Sequence, residues 1–490
     1  MRAFLGVLVA AALTVAPVSA NADQSTIGAP GFGDPYYPLD GNGGYDVAHY
    51  DIRLSYQPTT DELWGTTTVL ARTTQDLSQF NLDFLLTPSS VLVNNAPAEF
   101  ESRGDGELVV RPATLVPANS QLLVVVAYRD VPSSHELDGR VGWTRLPDGA
   151  MALREPHIAR WWFPGNDHPR DKATYDVSVA VPKGLEAVSN GLFMGTRQQT
   201  NGWVRYNWRS RSPQGPYQAT MIVTDLDITA TTTPDGLPYV NAYATALKNG
   251  PTVRGIVERT PELLDFESSL FGPYPFEATG GTVLTGWFGL ENQTRPTYGE
   301  EVFTTGGAGP YVVVHELAHQ WFGNSVSVWN WSDIWLSEGF ATYAEWLYSE
   351  HVGEGTAAEV SRYYYDLYPA DNAFWQTVVT DPGPGNSNFA TAVYRRGAMA
   401  LQALRETIGD DAFFTLMKMW PTEKKFGNAT SAEFEAMAEQ VSGRDLDALF
   451  DTWLHSPGKP ATAPAGASSA ALSAALSAPP ESVARMSQRR

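Results

Sequence analysis

The chain has 490 residues, of which 43% are hydrophobic, 12% aromatic and 18% charged. This is globular composition, and it excludes a disordered chain, a coiled coil and a multi-span membrane protein. A formal charge of −21, from 54 acidic and 33 basic residues, speaks against a nucleic-acid binder, because phosphate contacts need clustered Lys and Arg. Cysteine is absent, so disulfides, thiolate metal sites and cysteine nucleophiles are excluded, and any metal site must use His and carboxylate ligands.

In chain order, Arg2 precedes an apolar run that ends near Ala16, and Val18-Ser19-Ala20 and Ala20-Asn21-Ala22 offer small residues for cleavage. Residues 1–22 therefore read as a secretory signal peptide; the run is shorter than the ~20 residues a spanning helix needs. The mature protein is expected to be secreted (extracellular, or periplasmic where the cell has an outer membrane) and free of membrane once the signal is removed. Residues 23–44, rich in Gly, Pro and Asp, read as an exposed lead-in. Over 45–230, short alternating runs such as Leu122-Leu123-Val124-Val125-Val126, separated by turn signals, predict an all-β domain. Longer stretches of helical periodicity follow, such as 253–270 and 398–419, and predict a mainly helical domain over 231–460. Residues 461–490 are mostly Ala, Ser and Pro up to Arg489-Arg490, and read as a flexible tail.

The most informative stretch is His315-Glu316-Leu317-Ala318-His319. Pro310 is placed to open a helix there and Gly323 to close it. On such a helix His315 and His319 share a face, about 5–6 Å apart at Cβ, which lets two imidazoles meet one Zn²⁺ at about 2.0–2.1 Å each. Glu316, rotated by ~100° from His315, flanks the metal and reaches the water it activates. A catalytic zinc takes a third protein ligand and keeps an open position. Glu338, 18 intervening residues beyond His319, is the candidate, with Ser337 placed to cap its helix. The remaining histidines (His49, His135, His157, His168, His351, His455) read as ordinary surface or core residues.

These residues resemble the zinc aminopeptidases of the aminopeptidase N and leukotriene hydrolase family, within the gluzincins. The pattern of two His and a Glu base, then a Glu ligand after 18 residues, matches His315, Glu316, His319 and Glu338. The run Trp331-Ser332-Asp333-Ile334-Trp335-Leu336-Ser337-Glu338-Gly339-Phe340-Ala341 is similar to the family's ligand segment, with Ser337 where the family usually has Asn. The family's Gly-Ala-Met-Glu-Asn motif is matched by Phe288-Gly289-Leu290-Glu291-Asn292, retaining Glu291 and Asn292. The resemblance assigns Glu291 to the substrate's free α-amine, with Gly289 and Asn292 beside it in substrate binding. It assigns the Tyr394 hydroxyl to oxyanion stabilisation, with Arg396 in place of the family's Lys. Leu153 stands where the family commonly has a substrate-contacting Gln, and Glu155 is assigned either to the amine or to a structural salt bridge.

The resemblance implies a multidomain α and β protein: an all-β, saddle-like N-terminal domain, then a thermolysin-like, mainly helical zinc-metallopeptidase domain with one Zn²⁺ per chain. Many members carry a further β-domain and a helical C-terminal domain; this sequence ends before either, which implies a more open cleft. The implied partners are peptides with a free N-terminus, from which one residue is released per cycle. The competing readings are a thermolysin-type endopeptidase, which has no use for an amine anchor such as Glu291, and a non-catalytic secreted binding protein, which has no need to keep Glu316. An epoxide hydrolase side activity, known in one branch of the family, is a further possibility.

Overall fold

A computed structural model describes residues 24–286, 288–304, 307–462 and 479–486. The expected signal peptide and the Ala-rich centre of the tail lie outside the described residues. Among the described residues, no helix is long and apolar enough to cross a membrane.

Residues 45–224 form the β-domain. Its eight-stranded sheet is built around Tyr45–Gln57, which pairs antiparallel with Glu62–Thr73 and parallel with Ala173–Pro182. Alternation positions the core: Tyr50, Ile52, Leu54 and Tyr56 are fully buried, as a period of two requires. A register shift between Val47 and His49 inserts one residue, so the buried set changes from odd to even positions. A four-stranded and a three-stranded sheet complete the domain around one hydrophobic core.

Leu226–Thr232 already belongs to the next sheet, so the domain boundary falls just after Thr224 rather than at 230. That sheet has five strands, in the spatial order Leu226–Thr232, Pro238–Ala244, Thr279–Leu284, Thr297–Gly299 and Gly289–Leu290. Its last strand is an edge beside the helix Gly309–Ala318. The helices Trp335–Val352 and Thr391–Ile408 cross at Gly339 and Gly397, where a Cβ on either residue would lie 3.2 Å from the other's backbone. This close crossing brings the first turns of both helices to one place, and those turns carry Glu338 and Tyr394. The two domains are tied together behind it: Lys172 Nζ donates to the carbonyls of Asn324 (2.8 Å), Ser325 (3.0 Å) and Gly427 (3.0 Å).

Three further expectations are corrected. The lead-in is only partly exposed. Asp34 is fully buried and accepts from Trp331 N (2.9 Å) and His168 Nε2 (3.2 Å), and Tyr36 donates its hydroxyl to Asp381. Composition suggested a loop, but each acid finds a partner far away in sequence. Ser337 does not cap its helix, which starts at Trp335 after Ile334; its hydroxyl is turned to the His319 ring instead. The tail carries a buried helix, Glu481–Met486, with Val483 and Met486 packed into the catalytic core.

Candidate active site

The helix Gly309–Ala318 carries Pro310 in its first turn and is apolar on the side facing the core, with Val313, Val314 and Leu317 fully buried. It delivers His315, Glu316 and His319 to a cleft of about 570 Å³, which Glu155, Gly289, Glu291, Glu338 and Tyr394 also line. Glu338 Oε2 lies 3.3 Å from His315 Nε2 and 3.5 Å from His319 Nε2. A tetrahedral site with bonds of about 2.0–2.1 Å needs donors about 3.3 Å apart, so this donor set fits one small divalent cation.

The outer partners orient both rings. His315 Nδ1 donates to Glu345 Oε1 (2.7 Å), and His319 Nδ1 to the Phe322 carbonyl (3.1 Å), with Ser337 Oγ 3.0 Å away. Each imidazole therefore presents Nε2 to the cation position, as a metal-ligating His normally does. Although burial opposes it, Glu338 and Glu345 hold the His315 imidazole up to about 10. Burial likewise opposes the ionisation of Glu338, yet His319 and His315 hold it down to about 2. The arrangement calls for positive charge at this point. Glu345 was missed in the sequence. It sits seven residues after Glu338 on the same helix, hence on the same face, and that spacing was the available signal.

Glu316 is buried, and its carboxylate faces the edge strand. A Cβ on Gly289 would lie 2.1 Å from Glu316 Oε1, so a larger residue there would have to displace that carboxylate. Burial, opposed by His315 and His319, pushes Glu316 up to about 7, near the optimum for a proton acceptor at neutral pH. The Tyr394 ring stacks on His315 with centroids 6.3 Å apart. Burial, and then Glu338, pushes its phenol well above the usual range, so it remains an O–H donor.

Glu291 is buried, and Gln320 Nε2 (3.2 Å) and Asn324 Nδ2 (2.6 Å) donate to its main-chain carbonyl. Gln320 and Asn324, whose part the sequence did not reveal, thus fix the Glu291 main chain from behind. Glu155 stands beside Glu291, and burial followed by this like charge pushes Glu155 well above the carboxylate range; burial also raises Glu291. Glu155 thus lies against Glu291, and among the described residues no salt bridge holds it. Asn292 is not brought into the cleft: its amide donates to the Gln218 carbonyl (3.3 Å) and accepts from Thr297 Oγ1 (2.9 Å). Arg396 is buried, donating to the carbonyls of Trp375, Thr377, Thr452 and Ser456, where it clamps loops behind the helix.

Comparison with known proteins agrees with this arrangement. Residues 308–453 match the peptidase family M1 domain, and residues 150–217 match the peptidase M1 N-terminal domain. Human glutamyl aminopeptidase is 27% identical over 325 residues, covering 62% of this chain and 34% of that protein. Aminopeptidase N of Lactobacillus helveticus is 24% identical over 444 residues, 84% of this chain and 51% of that one. The chain thus spans between a third and a half of these relatives' length. The M1 zinc metallopeptidase of Deinococcus radiodurans superposes with a TM-score of 0.79 at 29% identity, covering 89% of this chain and 100% of that chain; a mutant of it has been solved bound to a Tyr-Ser-Ala substrate, at 28% identity. A β-rich N-terminal domain and a helical catalytic domain agree with these matches: the chain carries a peptidase family M1 domain and an M1 N-terminal domain.

Proposed function

We propose that the chain is an exported, zinc-dependent aminopeptidase that removes one residue at a time from the free N-terminus of peptides. The observation that carries this reading is the pair Glu155 and Glu291, side by side with Glu291 buried and Glu155 half-buried, and with no Arg or Lys among the described groups that shift either, in the cleft that also holds the donor set His315, His319 and Glu338. Two desolvated carboxylates answered by neither Arg nor Lys match an ammonium that arrives with the substrate. The metal, held by His315, His319 and Glu338, would polarise the scissile carbonyl and acidify water.

Glu155 and Glu291 hold the α-ammonium, so the first peptide bond, and no later one, reaches the donor set. The free edge of Gly289–Leu290 offers main-chain groups to an extended substrate. Glu316 takes the proton from the attacking water at its carboxylate and passes it to the leaving amine. The Tyr394 hydroxyl donates to the oxyanion that develops at the scissile carbonyl. The Deinococcus radiodurans relative solved with a tripeptide substrate supports a peptide as ligand. Export is supported by the Arg2-led apolar run and its small-residue cleavage sites. N-terminal sequencing of the mature protein is expected to start at residue 21 or 23.

The test is chromophore release from amino-acyl amides, free and N-acetylated, before and after chelation. We expect cleavage of the free-amine series only, lost on chelation and regained with about one zinc per chain. Rapid internal cleavage of a blocked peptide would replace this reading with that of an endopeptidase.

A further inference from the structure

We propose that the C-terminal segment 479–486 forms the cleft wall on the leaving-group side, and that Met486 determines which residue is accepted immediately after the scissile bond. This rests on the proposed amine anchor at Glu291.

The helix Gly309–Ala318 and the turn after it provide the ruler. Glu291 is held from Gln320 and Asn324, at the C-terminal end. The C-terminal segment sits at the opposite end. Arg485 Nη1 lies 3.0 Å from where a Cβ of Gly307 would stand, and its guanidinium pairs with Glu354 (3.0 Å), which also accepts from Tyr311 OH (2.6 Å). Tyr311 and Gln320 are nine positions apart, roughly 13 Å at 1.5 Å per residue, and His315 and His319 lie between them. A substrate whose ammonium is at Glu291 and whose first peptide bond is at the donor set runs onward toward the Tyr311 end.

At that end the segment is built in. Six residues do not make a stable helix alone, so its contacts hold it. Ser482 N donates to the Glu354 carbonyl (3.2 Å), Ser349 Oγ donates to Ser482 Oγ (2.7 Å), Pro480 packs on Gly355, and Val483 is 1% exposed. Met486, 6% exposed, then lines the same cleft as Glu291 and Glu316, and Val302, Val312 and Trp346 give that wall its apolar character. The first side chain of the leaving peptide therefore meets an apolar surface completed by an unbranched, adaptable thioether.

The full-length protein is assayed on two dipeptide series: Ala-Xaa, varying the leaving residue, and Xaa-Ala, varying the first. Met486→Ala is expected to change the kcat/KM ratio between Ala-Trp and Ala-Leu by about tenfold in favour of Trp, the scale of a few methylenes in an apolar pocket, and to leave the ranking of the Xaa-Ala series as it was. Arg485→Glu, which repels Glu354 and unseats the segment, is expected to shift the Ala-Xaa ratio in the same direction. Unchanged Ala-Xaa ratios in both variants, or equal shifts in both series, would overturn the proposal while leaving the aminopeptidase reading intact. Cleavage of neither series by the wild type would overturn that reading, and this inference with it.

Discussion

The molecule buries carboxylates in two places and resolves their charge in opposite ways. In the β-domain, Asp40, Asp83 and Asp167 surround Arg160, with oxygens 2.7, 2.7 and 3.5 Å from its nitrogens, and His157 pairs with Asp40 at 2.8 Å. At the cleft, Glu155 from the β-domain stands with Glu291 and Glu316 from the catalytic domain, and neither Arg nor Lys is among the groups that shift them. Burying a carboxylate costs several kcal/mol in either place unless a cation answers it. The first cluster carries its cation in the chain, although burial still pushes Asp83 up to about 8. The second is incomplete until a metal and an ammonium arrive, and unbalanced buried charge of that kind marks a functional site.

Removing one charge from each cluster sharpens the contrast. The largest effect is expected for Glu316→Gln: turnover should fall by about 10²–10⁴-fold with metal content and melting temperature retained, and near-normal turnover would end its assignment as the base. Arg160→Met should instead act on folding, because it strands Asp40 and Asp83 without their cation; denaturant unfolding should show a loss of about 3–5 kcal/mol. Glu345→Ala removes only the partner of His315 Nδ1, and a chelator competition should show metal affinity lowered by about 10–100-fold.

The smallest effect concerns pH. Burial, and then Asp83, pushes Glu107 up to about 9. The folded chain thus keeps a proton that the unfolded chain sheds from about 4.5 upward, and stability falls as pH rises through that window. Glu107→Gln, which mimics the protonated form, should lose less melting temperature between pH 5 and pH 8 than the wild type does. The expected gain at pH 8 is on the order of 1 kcal/mol, or about 2–4 °C, and identical pH profiles would contradict it.

The donor set was readable from the chain alone because helix geometry is local: the four-residue step from His315 to His319 makes about one turn whatever surrounds it. The motif around Glu338 and the tyrosine at 394 were equally legible, each lying in the first turns of a helix. The alternation that defines the β-domain is local in the same sense, a two-residue period set by the backbone. Tertiary structure decided the rest. Asn292, adjacent to the anchor in sequence, turns inward because Gln218 and Thr297 receive its amide. Gly289 meets the Glu316 carboxylate across the cleft, a neighbour no sequence period reveals. Asp34 meets Trp331 across 297 positions and Ser482 meets Ser349 across 133, so a lead-in and a tail that look like loops by composition become parts of the catalytic domain's surface. Such contacts depend on which distant partner arrives with complementary charge or shape, and that is set only when the layers pack.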